Sequence, residues 1–308
     1  RNGLAGMHSS AFWGFIDVLK TMGPRRPPLV LLENVAGFLT SNDGNDFRDA
    51  LIALNDLGYA VDAFIIDAVR FVPQSRVRLF VVGTKAPTTK VQEMGLLQSD
   101  CRPAALADFI FMNPDIGWSI RRLPVLPPAS RKLADIIEDV PANSTIWWSK
   151  ERCDYLLNQM SARHRAEADK MMAGSKWSYG TVFRRVRNGR SMGELRVDGI
   201  AGCLRTPRGG SGRQILFCGG KGQFRVRLLT PKECARLMGA DGFKINVPLN
   251  QALFGFGDAV CVPVIQWIAH HYLNPVLADL QQMPAALPSR RKAVVYTALK
   301  KKKVSPKK

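Results

Sequence analysis

The sequence predicts an α/β fold in which helices cover the faces of a sheet. Three apolar runs, at residues 29–35, 60–66 and 77–82, have the length and composition of strands. Helical patterns precede the first run and separate it from the second, and this alternation is typical of a sheet between helices. The first run contains four consecutive aliphatic residues, which is the pattern of a strand buried on both faces of a parallel sheet. A chain of 308 residues, 46% of them hydrophobic, can bury one large core or two smaller ones.

Two helices are predicted beside the first strand. Large apolar residues recur at helical spacing over residues 9–22, and the prolines between 24 and 28 end that helix. A second apolar stripe over residues 46–57 predicts another helix, which ends at Gly58. A turn at residues 71–78 then leads into the third strand, whose first residues are polar.

The pattern changes after the third strand, and we place a domain boundary near residues 84–88. The residues up to about 130 are rich in Pro and Asp and have no clear period. Residues 131–139 and 150–173 each predict a helix. Short β-prone runs, interleaved with many Arg and Gly, occupy residues 175–228 and predict a further, mixed domain.

Helical order returns near the C-terminus. Thr230 is placed to cap a helix that starts with Pro231 and runs to about Met238. A further helix follows Gly257, and the loop at residues 256–260 is expected at its start. Such a loop either contacts a ligand through its backbone amides or holds an ordinary Asp cap.

The formal net charge of +19 is concentrated in two segments. Residues 150–230 contain 17 Lys and Arg against 6 Asp and Glu, and residues 290–308 contain 9 against none. Two basic segments on an otherwise nearly neutral chain indicate a polyanionic partner, most simply nucleic acid. For the C-terminal segment, a solvated and disordered lysine block fits the composition equally well.

Glycine and arginine are interleaved in the loop at residues 205–214. Glycine lets a backbone approach a phosphate closely, and arginine neutralises the phosphate charge. A loop that is flexible and binds nothing is the structural alternative, but the combination of glycine and arginine favours contact. We therefore predict nucleic-acid contacts from this loop at Arg205, Arg208, Gly209, Gly210 and Arg213.

The six cysteines are widely spaced and include no CxxC pair, so we expect free thiols in a reducing compartment and no metal site. No apolar run approaches 18 residues, and the first residues lack the order of a signal peptide. These features favour a soluble protein.

Glu33 lies at the C-terminal end of the first predicted strand, directly after the aliphatic run. Ligands of open α/β sheets bind beyond the carboxyl ends of the strands, which makes a carboxylate there a candidate site residue. An acid that caps the next helix, or pairs with an arginine, is the structural alternative.

Four stretches, taken together and in this order, resemble the cytosine-5 DNA methyltransferase family. They are Glu33-Asn34-Val35, Pro73-Gln74-Ser75-Arg76-Val77-Arg78, the run Leu-Thr-Pro-Lys-Glu-Cys-Ala-Arg-Leu-Met-Gly at 229–239, and Gly257-Asp258-Ala259-Val260-Cys261-Val262-Pro263. Each is weak alone, but the set covers residues 1 to about 273 and encloses a long basic insert.

The resemblance implies part of a Rossmann-like, S-adenosylmethionine-dependent methyltransferase sheet plus a smaller, mixed target-recognition domain. Residues 1–84 and 226–282 would form the catalytic domain, and residues 85–225 the target-recognition domain. Residues 283–308 would be a disordered basic tail.

The resemblance also implies an activity, the transfer of a methyl group from S-adenosylmethionine to C5 of a cytosine flipped out of a specific duplex sequence. A thiolate adds to cytosine C6 only if the charge building on N3 and O2 is stabilised. Glu33, followed by Asn34, would be the acid at N3. Arg78, with Arg76 beside it, would be the cation at O2.

Further contacts follow from the same resemblance. Asp258, Ala259 and Val260 would contact the cofactor, although the family usually has Asn where this chain has Asp258. Gln74 would lie against the double-stranded DNA.

The family's Pro-Cys-Gln nucleophile motif and its Phe-x-Gly-x-Gly turn are both absent from the sequence. The opening residues 1–6 resemble the loop that follows the nucleophile motif. None of the six cysteines resembles the nucleophile, since Cys234 and Cys261 fall in predicted helices and the others in the insert. We therefore expect the C-terminal majority of such an enzyme, or one subunit of a split one, inactive without a segment that carries the nucleophile.

Two other interpretations remain. The chain could be a non-catalytic DNA-binding subunit or remnant, or an RNA-methylating relative of the same fold, although the large insert argues against the latter. A restriction-modification enzyme of this type would be cytoplasmic and associated with a bacterial nucleoid.

Overall fold

The computed structural model describes residues 10–93, 95–206 and 212–282. Several predicted features lie outside these described residues. They are the opening loop at 1–6, the predicted DNA contacts Arg208, Gly209 and Gly210, and the basic tail at 283–308.

Three strands and two helices form the first half of the fold. The strands are β1 (Leu29–Val35), β2 (Ala60–Asp67) and β3 (Val77–Thr84), in the order β1-β3-β2. The helices are α1 (Ser10–Met22) and α2 (Asn45–Asp56). All five elements were predicted within two residues of these bounds, because each has a clear apolar period or run.

The sheet is covered on both faces, as the α/β prediction requires. Alternate residues of β2 and β3 point in opposite directions, so Ala63 and Val81 pack with the core under α1 and α2. Phe64 and Phe80 face the other way and pack with Tyr272 from the C-terminal helices.

The expectation of a parallel, doubly buried first strand is wrong for the residues described here. β1 runs antiparallel to β3, and β2 is antiparallel to β3 as well. Burial also falls along β1, since Val30 is buried whereas Glu33 and Val35 are exposed. An aliphatic run indicates how much apolar surface a strand buries, but the orientation of its neighbour depends on distant residues.

A second, four-stranded antiparallel sheet occupies the basic part of the chain. Its strands are β4 (Ser178–Arg187), β5 (Arg190–Arg196), β6 (Ile215–Gly220) and β7 (Gln223–Leu228), in the order β5-β4-β6-β7. One face packs on two helices, α4 (Lys150–Asn158) and α5 (Ala162–Ala173), through residues such as Val182 and Phe217. The other face packs, through Leu216 and Cys218, on the core shared with β2, β3 and the C-terminal helices. The predicted limit between 225 and 226 falls inside β7, and the domain limits stay a prediction.

Three helix predictions in this region are corrected. A helix, α3 (Ala104–Met112), lies where no period was detected, and residues 131–139 form only the 3-10 turn Leu133–Ile136. The single helix predicted over 150–173 is divided in two, because Ser161 caps α5 and the Gln159 carbonyl accepts the backbone N–H of Gly193 on β5.

Four helices close the described chain, namely α6 (Pro231–Leu237), α7 (Leu249–Asp258), α8 (Val262–Ile268) and α9 (Asn274–Gln282). The capping box predicted at Thr230 is present, with Glu233 as its reciprocal partner. The helix predicted after Gly257 is misplaced, because residues 256–258 are the end of α7 and the next helix starts at Val262. These residues therefore present helix-end carbonyls instead of free amides.

Among the residues that the structure describes, one stretch, Leu249–Gln282, is long and apolar enough to cross a membrane by length and composition alone. The structure interrupts it at residues 259–261 and buries Ile268, Tyr272 and Val276 in the core. Apolar helices that pack in the core of a folded domain have the same composition.

Candidate active site

Glu33 and Arg78 form an ion pair across two neighbouring strands. Val35 lies opposite Arg78, so Glu33, two residues earlier on the same face of β1, is the diagonal neighbour. Arg78 Nε lies 2.5 Å from Glu33 Oε1, and the two side chains are 17% and 29% exposed. The pair thus presents an acid and a guanidinium side by side, both within reach of a bound ligand.

Arg76 is buried and joins three segments of the chain. Its guanidinium donates to the carbonyls of Leu204 at 2.9 Å and Ala259 at 2.6 Å, and its backbone N–H donates to Asp67 at 2.8 Å. Burial, and the nearby Arg78 charge, lower the pKa of Arg76 from its usual value. Arg76 therefore holds the segments around the site in place, whereas Arg78 faces the ligand side.

Cys203 lies between these two arginines, which the sequence did not reveal. Its sulfur is 3.4 Å from Nη1 of Arg76 and 3.7 Å from Nη2 of Arg78. The residue belongs to the basic insert, 125 positions from Arg78 along the chain. A single cysteine outside any motif gave no signal, so only the tertiary contact identifies it as part of the site.

Gly257 allows the insert to approach the end of α7. A Cβ atom at this position would lie 2.4 Å from the backbone nitrogen of Thr206, closer than atoms can approach. The hydroxyl of Thr206 donates to the carboxylate of Asp258. A glycine is thus required where the two segments touch.

Of the predicted cofactor residues, Val260 lines the same cleft, and Asp258 and Ala259 directly precede it in the chain. Glu33, Arg78 and Val260 line it together, and Val260 is 39% exposed. The carboxylate of Asp258 is engaged by Thr206, and Ala259 uses its N–H and carbonyl within the protein. Of the three residues, Val260 is thus the one whose side chain is open to a ligand in the cleft.

Two other predicted residues lie apart from this pair. Asn34 is on the opposite face of β1, where its side-chain oxygen accepts the Val35 N–H at 2.8 Å. Gln74 is fully buried, and its amide donates to the Leu237 carbonyl at 2.8 Å and accepts the Leu204 N–H at 2.9 Å. The structure therefore brings neither side chain to the open cleft.

The described ends of the basic loop are anchored on both sides. The guanidinium of Arg205 lies 5.2 Å from the ring centre of Phe183 on β4, and the side chain is exposed. Arg213 donates to Asn250 on α7. The described ends of the loop thus contact β4 on one side and α7 on the other.

The other five cysteines are buried. Burial raises the pKa of the Cys218 and Cys234 thiols to about 12, and that of Cys101 and Cys261 to about 11. The pKa of Cys153 is also raised by burial. These thiols stay protonated at neutral pH and are poor nucleophiles.

Comparisons with known proteins identify the family. The model of the C-5 cytosine-specific DNA methylase family matches residues 1–274. The DNA-cytosine methyltransferase of Escherichia coli (strain K12) is 27% identical, over 83% of this chain and 51% of that protein. The type II methyltransferase M.HaeII of Haemophilus aegyptius is also 27% identical, over 88% of this chain and 68% of its own length.

Solved structures show the same fold. The S. pombe Dnmt2 methyltransferase superimposes with a TM-score of 0.52 at 18% identity, covering 88% of this chain and 73% of that one. The chain spans about half the length of the first curated relatives that it matches. With its fold and a match over most of its length, the chain belongs to the C-5 cytosine-specific DNA methylase family.

Proposed function

We propose that this chain carries the base-activating face of a DNA (cytosine-5-)-methyltransferase. The reaction transfers a methyl group from S-adenosylmethionine to C5 of a cytosine that has been flipped out of the duplex. The observation that carries the proposal is the Glu33–Arg78 pair, with its 2.5 Å contact at a cleft shared with Val260.

The pair supplies what nucleophilic addition to cytosine requires. Attack of a thiolate on C6 builds negative charge on N3 and O2, and the reaction is slow unless that charge is neutralised. In this proposal Glu33 would protonate N3 and Arg78 would donate to O2. A base entering the cleft would exchange the contact between the two side chains for contacts to itself, while the buried Arg76 keeps the strand fixed.

The nucleophile and much of the cofactor site would come from a segment with a Pro-Cys-Gln motif, which this sequence lacks. When bound, S-adenosylmethionine would supply an electrophilic methyl group. From this chain, Val260 would contact the cofactor at the edge of the cleft, with Asp258 and Ala259 holding that edge in place.

DNA would be bound by the basic insert, with residues 85–225 selecting the target sequence. Arg205 and Arg213 anchor the loop on either side, and we propose that Arg208, Gly209 and Gly210 contact the backbone. Gln74 would support this surface by fixing Leu204 at the base of the loop. An enzyme of the restriction-modification type would act in the cytoplasm.

A second candidate is a DNA-binding subunit without chemistry of its own. It is favoured by one observation, the burial of five of the six thiols. The two candidates predict different results when a segment with the Pro-Cys-Gln motif is added to the chain. The first predicts methyl transfer, and the second predicts none.

The test is transfer of a labelled methyl group from S-adenosylmethionine to a cytosine-containing duplex. The chain alone should show no transfer, and a mixture with a separately produced segment carrying the Pro-Cys-Gln motif should show it. Transfer by the chain alone would contradict the proposed division of the active site. Binding of DNA without transfer in any mixture would favour the non-catalytic subunit.

A further inference from the structure

A cavity of about 260 Å³ lies apart from the Glu33 cleft and shares no residue with it. Its floor is a row of three residues directly opposite one another on adjacent strands, Tyr179 on β4, Cys218 on β6 and Arg225 on β7. Its walls are Trp147, Trp177 and the segment 137–140. We call this space the aromatic cavity.

The aromatic faces in the cavity are held in place. The indole N–H of Trp147 donates to the Pro141 carbonyl at 3.0 Å. The Arg225 guanidinium lies 5.2 Å from the ring centre of Trp177 and 6.0 Å from that of Trp147. Within the described part of the chain, that guanidinium has no hydrogen bond or ion pair, so its N–H groups are free for a ligand.

Charge decides which kind of ligand fits. Glu138 is already engaged, because it accepts the Thr230 hydroxyl at 2.6 Å and lies 3.5 Å from Lys232. Of the charged side chains that line the cavity, Arg225 and the exposed Asp139 remain available to a ligand. Arg225 disfavours a second cation among the aromatic rings, and Asp139 disfavours an anion. The cavity therefore suits an uncharged ligand with both donors and acceptors.

We propose that the aromatic cavity binds a nucleobase carried on a single-stranded or extruded stretch of DNA. Bases stack on Trp faces and on Arg guanidinium planes. The volume is below the range of about 300 to 1,000 Å³ usual for drug-sized ligands, which fits one base better than a whole cofactor. Asp139 would accept from an exocyclic amino group, while Arg225 donates to the neighbouring carbonyl or ring nitrogen.

The position of the cavity favours a base on a strand over a free nucleoside. Tyr179 lies on the same face of β4 as Phe183, which contacts Arg205 at one end of the basic loop. Four residues of a strand span about 13 Å, so a chain of nucleotides on the basic loop could reach the cavity. The proposal does not depend on methyl transfer, because it concerns base binding alone.

The assay compares short oligomers of deoxycytidine and of thymidine, equal in length, by quenching of tryptophan fluorescence. Both carry the same phosphate charge, so a difference in affinity reports the base. Thymine has no amino group for Asp139, and we expect deoxycytidine oligomers to bind about tenfold more tightly. Asp139→Asn should abolish this difference and leave the affinity for thymidine oligomers unchanged.

Asp169→Asn is the matched control, because this exposed acid lies on α5, against the opposite face of the sheet. It should keep the tenfold preference. Equal affinity for the two oligomers in the unaltered chain, or a preference that survives Asp139→Asn, would overturn the proposal. Free deoxycytidine binding as tightly as the oligomer would overturn the assignment to a strand.

Discussion

Arg76 and Arg78 are two positions apart on one face of the chain, yet their surroundings give them different roles. Arg76 is 4% exposed, and its guanidinium donates hydrogen bonds to carbonyls of distant segments. The Arg78 side chain is 17% exposed and meets a carboxylate that a ligand can displace. The first arginine is a positioning residue, and the second is the proposed catalytic one.

Replacing Glu33 tests the proposed acid. In the mixture that transfers methyl groups, Glu33→Gln should lower the rate by about 100- to 1,000-fold, because charge that develops on the base is no longer met by a proton. DNA affinity should stay nearly the same, as the residue acts on the transition state. The exposed Glu93→Gln is the control, and a normal rate in Glu33→Gln would exclude the assignment.

Thiol labelling tests the surroundings of the cysteines. At pH 8 the thiols with pKa raised to about 11 or 12 stay protonated and buried, so an alkylating reagent should modify Cys203 alone in the folded chain. All six should react after unfolding. Mass spectrometry of peptides identifies the modified residue. Rapid labelling of Cys234 in the folded chain would contradict the position of α6.

Removing the buried arginine should destabilise the protein. Arg76→Ala leaves the buried Leu204 carbonyl and the partly buried Ala259 carbonyl without this donor, and each such loss costs about 1 to 3 kcal/mol. We expect the free energy of unfolding to fall by about 3 kcal/mol or more, measured by urea denaturation. Arg122→Ala, at an exposed position, should change it little.

At the scale of elements, α6 links the two sheets through one buried pair. Arg227 on β7 and Glu233 on α6 are 2.6 Å apart and almost completely inaccessible, with 1% and 0% of their side chains exposed. Glu233 also completes the capping box with Thr230 and accepts the backbone N–H of Glu138 at 2.9 Å. One carboxylate thus fixes the start of the helix, the last strand and the wall of the aromatic cavity.

Glu233→Gln should lower the free energy of unfolding much more than loss of the helix cap alone. It leaves the Arg227 charge buried without its partner, and such changes destabilise proteins by about 3 to 5 kcal/mol. Thr230→Ala, which removes the capping hydroxyl, should cost about 1 kcal/mol. Thermal unfolding of the two variants gives the comparison. A smaller effect from Glu233→Gln than from Thr230→Ala would show that the pair is not buried in solution.

At the scale of the whole molecule, we expect the excess of positive charge to control the affinity for DNA and its dependence on salt. The net charge of +19 is carried mainly by the sheet of the insert and by the C-terminal residues, while the Glu33 cleft is lined by one acid, Glu33, and two arginines, Arg76 and Arg78. Phosphate contacts release counterions, so affinity should fall steeply with salt.

Neutralising Arg205 or Arg213 should weaken binding to all duplex sequences alike. Each lost phosphate contact should reduce the slope of log affinity against log salt by about 0.9. Arg165→Gln is the control that keeps the slope, because Arg165 lies on α5, which packs on the sheet face opposite Leu216 and Cys218. Unchanged slopes in both loop variants would place the loop away from DNA.

Deleting residues 290–308 should lower affinity for non-specific DNA. The segment contains nine Lys and Arg and no acid, so its contribution is electrostatic and independent of sequence. The sequence that is methylated by the active mixture should stay the same. A change of target sequence would show that this segment reads bases.

The local elements follow from the amino-acid sequence alone, and the residues of the proposed site lie within short recognisable stretches. Local signals predict the helices α1, α2 and α6 and the strands β2 and β3. These signals are apolar periods, prolines, glycines and a capping threonine, and each lies inside or next to the element that it predicts. Glu33 was a candidate because it follows an aliphatic run, and Arg78 was identified only through the family resemblance of its motif. Local signals suffice here because backbone preference and side-chain spacing depend on near neighbours.

Only the tertiary structure decided how these pieces meet. The antiparallel pairing of β1 with β3, the break between α4 and α5 and the end of α7 at Asp258 all depend on residues far away in the chain. Cys203 joins the arginines across 125 positions, and the aromatic cavity takes its walls from segments between 137 and 225. Local secondary-structure propensity is worth only a few tenths of a kcal/mol per residue. Contacts between distant segments bury apolar area and satisfy polar groups, and these gains outweigh that propensity.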